Sequence, residues 1–278
     1  MNLSIIIVNY NNLEKLANCL DSFSKTNLPD LNYELIVVDN NSKDDLRLLS
    51  RVVDFKLINS EKNLGMGGGN NLGIKEAQAD TILVLNPDTI VNGPAIRVLY
   101  NYLNEHEDIG LVGPKLLYPD GSLQYSCARF PSFFIPVLRR TFLGNKFKKK
   151  RDHFMMMDFD HKSIKEVDWL MGSCLMFKKS WKFKDEKGEE KEFNPMFDER
   201  YFMYFEDIDI CREVKKHGKK VIYNPSATII HDHARDSARH PWYIAVFKDK
   251  ITWIHISSWM KYFLKWGFKN NQKIYEKN

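Results

Sequence analysis

The chain has 278 residues, 44% hydrophobic and 28% charged, enough to bury a sizeable core and unlike a disordered chain. Its four cysteines (Cys19, Cys127, Cys174, Cys211) are scattered and form no CxxC pair, which argues against a disulfide framework or zinc site and for reduced thiols in the cytoplasm. The net charge of +5 is uneven: "RRTFLGNKFKKKR", residues 139 to 151, holds seven basic groups and no acidic one, a run that attracts phosphates or simply forms a solvated face.

The opening "MNLSIIIVNY" lacks the basic start and small-residue cleavage site of a signal peptide and reads as a buried first strand. No window approaches the roughly 20 apolar residues of a membrane-spanning helix. "NLEKLANCLDSFSK" then puts Leu13, Leu16, Leu20 and Phe23 on one helical face. "YELIVVDN" is a second strand, followed by a short helix. "FKLINS" is a third strand, "NNLGIKEAQA" a helix and "DTILVLNPD" a fourth strand. "GPAIRVLYNYLNEH" has proline at a helix start. This β/α alternation implies a doubly wound, mostly parallel sheet, Rossmann-like over residues 1–110. Ligands of open α/β sheets bind beyond the carboxyl ends of the strands. Asn9-Tyr10, Asp39 to Ser42 and Asn86-Pro87-Asp88 should therefore converge on one site.

Beyond residue 110 the pattern loosens. "GPKLLYPDGSLQYSCARFPS" suggests a hairpin with a Pro-Asp-Gly turn, "VDWLMGSCLMFKK" a further strand, and "KFKDEKGEEKE" (182–192) a charged loop.

Three motifs carry chemistry. Asp88 at a strand end suits a hard cation, or alternatively caps the helix near Pro94. "EKNLGMGGGNNLG" (61–73) lets backbone approach a ligand closely, or is a loose turn; it matches neither the dinucleotide fingerprint nor the Gly-Lys-Ser/Thr phosphate loop. The most specific is "FDERYFMYFEDIDICREVKKHGKKVIYNPSATIIHDH", residues 197 to 233. Glu206 and Asp207, set between an aromatic run and a helical pattern, should be desolvated and have raised pKa values, as a general base needs, unless they merely favour a helix start. His231 and His233 end another apolar strand.

Taken in order, "SIIIVNYNN", "IVVDNNSKD", "NLGMGGGNNLGI", "LVLNPDT", "YPDGSLQYSCARFPS", "MGSCLMFKK", "FDERYFMYFEDIDICRE" and "HDHARDSARH" resemble the family 2 inverting glycosyltransferases of GT-A fold, in their bacterial rhamnosyltransferase-like branch. The likeness covers roughly residues 3 to 240, and Asn86-Pro87-Asp88 stands where the family has its metal-binding Asp-x-Asp. It implies a GT-A domain over 1–240, with a nucleotide-sugar-binding half (1–110) and an acceptor and catalytic half (111–240), plus a C-terminal helical tail over 241–278. It further implies a divalent cation, Mn2+ or Mg2+, on Asp88 with His231 or His233. Val8, Tyr10, Asp39, Asn63, Gly65, Gly67, Asn70, Asn86, Asp88 and Arg129 would bind the nucleotide-diphosphate sugar. Asp207 would be the base, with Glu206 positioning it or exchanging roles. The implied reaction is a single displacement with inversion, from a donor such as dTDP-rhamnose onto a growing cell-surface or lipid-diphosphate-linked glycan.

In the tail, Ile256, Trp259, Met260 and Phe263 form a helical stripe, with lysines at 261, 265 and 269 and tryptophans at 253, 259 and 266. The pattern fits a helix on the inner leaflet of an anionic membrane, making the protein peripheral on its cytoplasmic face. It equally fits a helix docked on the domain or on a second subunit as a homodimer. A nucleotidyltransferase is the alternative enzyme, disfavoured because the glycine stretch offers only Lys62. A nucleotide-sugar-binding protein without transferase activity is another. Nucleic acid is not expected, because no binding motif accompanies the basic runs.

Overall fold

A computed structural model describes residues 1–26, 28–140, 143–232 and 249–268. Strand β1 (Leu3–Asn9) is buried along its whole length. It pairs in parallel with β2 (Tyr33–Asp39) and with β4 (Thr81–Leu85), while β3 (Lys56–Asn59) extends β2. These strands are continuous apolar runs because helices cover both faces of the sheet. Ile5, Ile7, Val37 and Leu83 face Leu16, Leu20 and Phe23 of α1 (Leu13–Ser24) and Ile96 and Leu99 of α3 (Gly93–Glu105). Ile6, Val8, Val38 and Val84 face the other layer, which includes Ile74 of α2 (Gly65–Glu76).

The sheet continues without a break into the second half. β6 (Ile109–Leu117) and β14 (Lys220–His231) pair in parallel. β11 (Cys174–Lys178) runs antiparallel between β4 and β6 and joins the two halves. Among the described residues the order is β3-β2-β1-β4-β11-β6-β14-β5, with β5 (Thr89–Ile90) folded back on the end of β14. The Pro-Asp-Gly hairpin is present, pairing β6 with β7 (Leu123–Gln124). β8 (Cys127–Ala128) pairs with β10 (Trp169–Leu170), and β9 (Lys165–Glu166) lies beside β14.

Three segments differ from the sequence expectation. The glycine stretch is helical from Gly65, five residues before "NNLGIKEAQA" begins. A Cβ on Gly69 would lie 2.7 Å from Val8 Cγ1, so this glycine lets α2 sit directly on the sheet. Residues 182–192 belong to a hairpin, β12 (Trp181–Lys184) with β13 (Glu190–Phe193), in which Trp181 and Phe193 pack at 4.9 Å. The basic segment falls on three short helices, α4 (Ile135–Arg140), α5 (Leu143–Lys146) and α6 (Lys148–Phe154), where the sequence pattern announced no element.

Helix α7 (Glu206–Lys216) covers the second half of the sheet, and α8 (Lys250–Trp266) docks on α7. Tyr262 and Phe263 of α8 are buried in the same core as Phe205 and Ile210. The docked alternative therefore describes the inner face of the tail. Its buried residues are Thr252, Ser258, Tyr262 and Phe263, of which only Phe263 lies on the expected stripe, and Met260 is exposed.

Candidate active site

The expected strand ends do meet. Asn9 and Asp39 are register partners, and Asn9 Nδ2 donates to Ser42 Oγ at 3.2 Å while Asp39 Oδ1 accepts from the Ser42 N–H at 2.9 Å. Asn40, which sequence reasoning left unassigned, links them to α2. Its Nδ2 donates to Asn63 Oδ1 and to Gly65 O at 3.0 Å each, and its Oδ1 accepts from the Leu64 N–H at 2.9 Å. Beside this rim a cavity of about 330 Å³ is lined by Asp39, Lys43, Asp44, Leu46, Arg47 and Asn59, and Tyr10 stands half exposed.

A second group forms where β4 ends. The pairing of Thr89 with His231 folds the Asn86-Pro87-Asp88 turn against the tip of β14. His231, only 1% exposed, places Nε2 3.2 Å from Asp88 Oδ1, and its Nδ1 lies 2.6 Å from Gln124 Oε1. Gln124 thus orients the ring so that Nε2 and a carboxylate oxygen share one spot, as a hard cation with few protein ligands requires. Among the described residues no group of three or more His, Cys, Asp or Glu is placed to hold a metal. Asn92, not Asp88, caps α3 by accepting from the Ala95 N–H at 2.8 Å. His233 lies outside the described residues.

The third group opens α7. Tyr204 and Phe205 both take left-handed backbone angles (φ 68 and 70) although neither is glycine, a conformation that costs about 1–3 kcal/mol per residue and gathers at functional turns. The turn delivers Glu206 and Asp207 as the first two helical residues. Asp207 accepts from the Gly172 N–H at 3.0 Å and the Ile208 N–H at 2.8 Å. Glu206 Oε2 has no hydrogen-bond partner among the described residues. Burial raises both carboxyls, Glu206 well above the ordinary range with the neighbouring Asp207 charge adding to it; backbone hydrogen bonds hold Asp207 back in part.

These groups are tied together. Gly172 N–H holds Asp207, and the next residue, Ser173, accepts through its carbonyl from the Asn86 N–H at 3.0 Å. A two-residue span entering β11 therefore fixes the Asp88 turn relative to the acid pair. From the other side, Gly65 (φ +76) lies so close to Phe202 that a Cβ would sit 2.0 Å from its carbonyl oxygen. A Cβ on Gly67 would lie 3.7 Å from Glu206 Cβ. Asn71 completes the seam, exchanging hydrogen bonds with the Phe197 backbone at 2.8 and 2.9 Å.

The acid turn is held from behind by α8. Ser258 Oγ donates to Met203 O at 2.9 Å and Lys261 Nζ to Arg200 O at 2.8 Å. Lys265 pairs with Asp209 (2.7 Å), Glu213 (2.9 Å) and Asp198 (3.1 Å), and Trp266 Nε1 donates to Asp209 Oδ1 at 2.6 Å. Lys265 therefore faces inward, contrary to its expected place on a solvent- or lipid-facing basic stripe.

The Val8 side chain is in the core, and the Arg129 guanidinium is engaged by Asp158 through two hydrogen bonds of 3.0 and 3.1 Å. Asn70 sits inside α2, 3% exposed, with Oδ1 making no hydrogen bond among the described residues. Gln124, Gly172 and Ser173 were missed. Only Gly172 carried a signal, a lone glycine between apolar runs in "LMGSCLMF", which marks close backbone approach.

Comparison with known proteins fits this geometry. The profile described as Glycosyl transferase family 2 matches residues 4–167. The N-acetylglucosaminyl-diphospho-decaprenol L-rhamnosyltransferase of Mycobacterium tuberculosis is 28% identical over 97% of this chain and 90% of its own. Rhamnosyltransferase WbbL of Escherichia coli is 26% identical over 97% of this chain and 96% of its own. Among solved structures, mannosyltransferase PcManGT from Pyrobaculum calidifontis, in complex with GDP-Man and Mn2+, matches with a TM-score of 0.56 at 15% identity. That match covers 85% of this chain but only 58% of the mannosyltransferase.

Proposed function

Because the chain belongs to glycosyl transferase family 2, we propose that it transfers a sugar from a nucleotide-diphosphate donor to a hydroxyl of a growing glycan, inverting the anomeric configuration. Its fold is GT-A. The observation that carries the reading is the Gly172-Ser173 span, which holds a raised carboxyl (Asp207) beside the strand-end turn bearing Asp88.

In this reading Asp39 and Tyr10 receive the nucleoside at the rim of the 330 Å³ cavity. Asn63 shapes that rim through Asn40, and Gly65, Gly67, Asn70 and Asn86 border the sugar and diphosphate. Asp88 and His231 would hold Mn2+ or Mg2+, which when bound would supply positive charge to offset the charge on the departing diphosphate. Asp207 takes the proton of the acceptor hydroxyl as its oxygen attacks the anomeric carbon. Its raised pKa makes it a stronger base than an ordinary aspartate, and its hydrogen bonds to Gly172 and Ile208 keep it aimed. Glu206 holds a proton more readily and positions the acceptor side. No covalent intermediate is formed.

The rhamnosyltransferase names of two relatives support rhamnose as the sugar, and the rhamnosyltransferase-like branch that the sequence resembles implies dTDP-rhamnose as the donor. The first of those names also supports a lipid-diphosphate-linked acceptor. Residues 1–240 then act as the transferase domain on the cytoplasmic face of a membrane, with 241–278 as its tail. No helix among the described residues is long and apolar enough to cross a membrane.

Thermal unfolding with dTDP, UDP, GDP and CDP, each with Mn2+, Mg2+ or EDTA, tests the reading. A ligand at about 100 times its dissociation constant adds about 2.7 kcal/mol. One diphosphate should raise the midpoint by several degrees with metal and much less with EDTA. Asp207→Asn should retain that shift while transfer falls by roughly 10²- to 10⁴-fold. An active Asp207→Asn enzyme would remove Asp207 as the base, and indifference to every diphosphate would remove the transferase reading.

A further inference from the structure

Helix α8 has a second face that the acid turn does not use. Trp253 (56% exposed), Met260 (37%) and Leu264 (72%) recur at i, i+7 and i+11, within one narrow stripe of the helix, and Phe268 (56%) extends it just past the helix end. The start of α4 joins the same surface. Phe133 packs on Trp259, Phe263 and Phe268 at 4.6, 5.2 and 5.1 Å, and this leaves the adjacent Phe134 67% exposed. Single exposed apolar residues are ordinary on a protein surface, but apolar residues recurring along one stripe of a helix mark something that covers it.

Charge identifies the cover. No acidic residue occurs between Lys250 and Phe268, and α4 leads directly into α5 and α6, where Lys146, Lys148, Lys149 and Lys150 are exposed around Phe147. An apolar ridge with indole and phenyl groups, next to a dense set of ammonium groups, complements a bilayer with anionic headgroups, where rings enter the interface and lysines stay at headgroup level. A second copy of the chain complements it poorly, because a symmetric contact would bring two seven-cation segments together.

We propose that the outer face of α8, together with Phe134 and the basic α4–α6 segment, docks on an anionic bilayer surface. The ridge lies on a different face of α8 from the contacts that hold the Glu206-Asp207 turn, so the membrane and the acid pair share one helix between them. This gives the membrane-side placement proposed above a specific surface, but its test reads binding and not transfer, so the two can fail separately.

The full chain is sedimented with vesicles of phosphatidylcholine alone and of phosphatidylcholine mixed with phosphatidylglycerol. Binding should require phosphatidylglycerol, fall steeply with added salt and be accompanied by a blue shift in tryptophan emission. Leu264→Glu and the double variant Lys148→Glu/Lys149→Glu should each weaken it about tenfold or more. Both should keep the parent's unfolding midpoint and its nucleoside-diphosphate shift. Absence of binding to anionic vesicles, or equal binding by Leu264→Glu, would overturn the proposal. A parent that is dimeric by sedimentation velocity, made monomeric by Leu264→Glu, would give the ridge to a second copy instead.

Discussion

Glu206 and Asp207 sit under opposing influences. As the first residues of α7 they meet the positive end of the helix dipole, which favours a carboxylate by about 0.3–1 kcal/mol. Burial works the other way and prevails, since both carboxyls are raised. A carboxyl raised on folding adds stability that is fully present below its unfolded pKa and is lost as pH rises through its folded value. Glu206→Gln removes this titration. It should therefore unfold at a higher temperature than the parent at neutral pH, by a few degrees, with the gap closing as pH falls toward about 5. Melting curves of both proteins over that range decide it, and a gap that widens on acidification would reverse the assignment. The same raised carboxyls place the acid limb of the transfer rate above the ordinary carboxylate range. Asp88→Ala should abolish the metal-dependent part of the diphosphate shift while leaving Asp207 in place. An undiminished metal effect in this variant would exclude Asp88 as a ligand. Asp88, His231 and the acid pair were legible in the sequence because each stands beside an apolar strand or an aromatic run. Gln124 and Ser173 were not, for they act across 107 and 87 positions of chain, through a ring tautomer and a backbone carbonyl.

Elements were legible where local pattern and tertiary demand agree. β1, β2, β4, α1 and α3 follow the apolar periodicities that announced them. The glycine-rich first half of helix α2 did not, because its four glycines within five positions oppose helix formation by roughly 1 kcal/mol each, whereas its second half was read as a helix from "NNLGIKEAQA". Close packing on Val8 and Phe202 overrides that preference, and Gly65→Ala should be strongly destabilising, since its Cβ would overlap the Phe202 carbonyl. The tail was half legible: a docked helix was one of its two readings, yet Lys265 looked like a surface charge. It is instead the counter-ion of Asp209, whose side chain is 1% exposed and whose carboxyl burial raises although Lys265 opposes the shift in part. Removing one member of a buried pair strands the other, at a cost of about 3–5 kcal/mol. Lys265→Met should lose about that much in urea denaturation. Adding Asp209→Asn should recover a large part of it, because the amide oxygen still accepts from Trp266 Nε1. A single variant within ~1 kcal/mol of the parent would mean that α8 does not clamp α7.

At the scale of the whole molecule, the sequence pattern divides the chain near residue 110, yet the sheet does not. β11 comes from the second half and inserts beside β4 of the first, with Cys174 to Lys178 paired one by one against Leu85 to Thr81. Its other edge meets β6, so β4 has no edge of its own and the apolar layer on each face runs across the junction. α3, from the first half, packs on β6 and β14 of the second. A separated 1–110 fragment would expose the fully buried β4 as an edge and leave one side of α3 bare, so it should neither fold cooperatively nor bind nucleotide. The intact chain should instead unfold in one calorimetric transition, and a bound nucleoside diphosphate should move that transition as a unit, although the rim around Asp39 lies entirely in the first half. Two transitions, only the first of them shifted by the ligand, would show that the halves are independent bodies and that the Gly172-Ser173 span is a contact between domains. One shifted transition would mean that donor affinity, the Asp88 turn and the acid pair share a single folding unit. A substitution in β11 would then weaken diphosphate binding from a distance, by loosening the strand that holds both carboxylate groups in register.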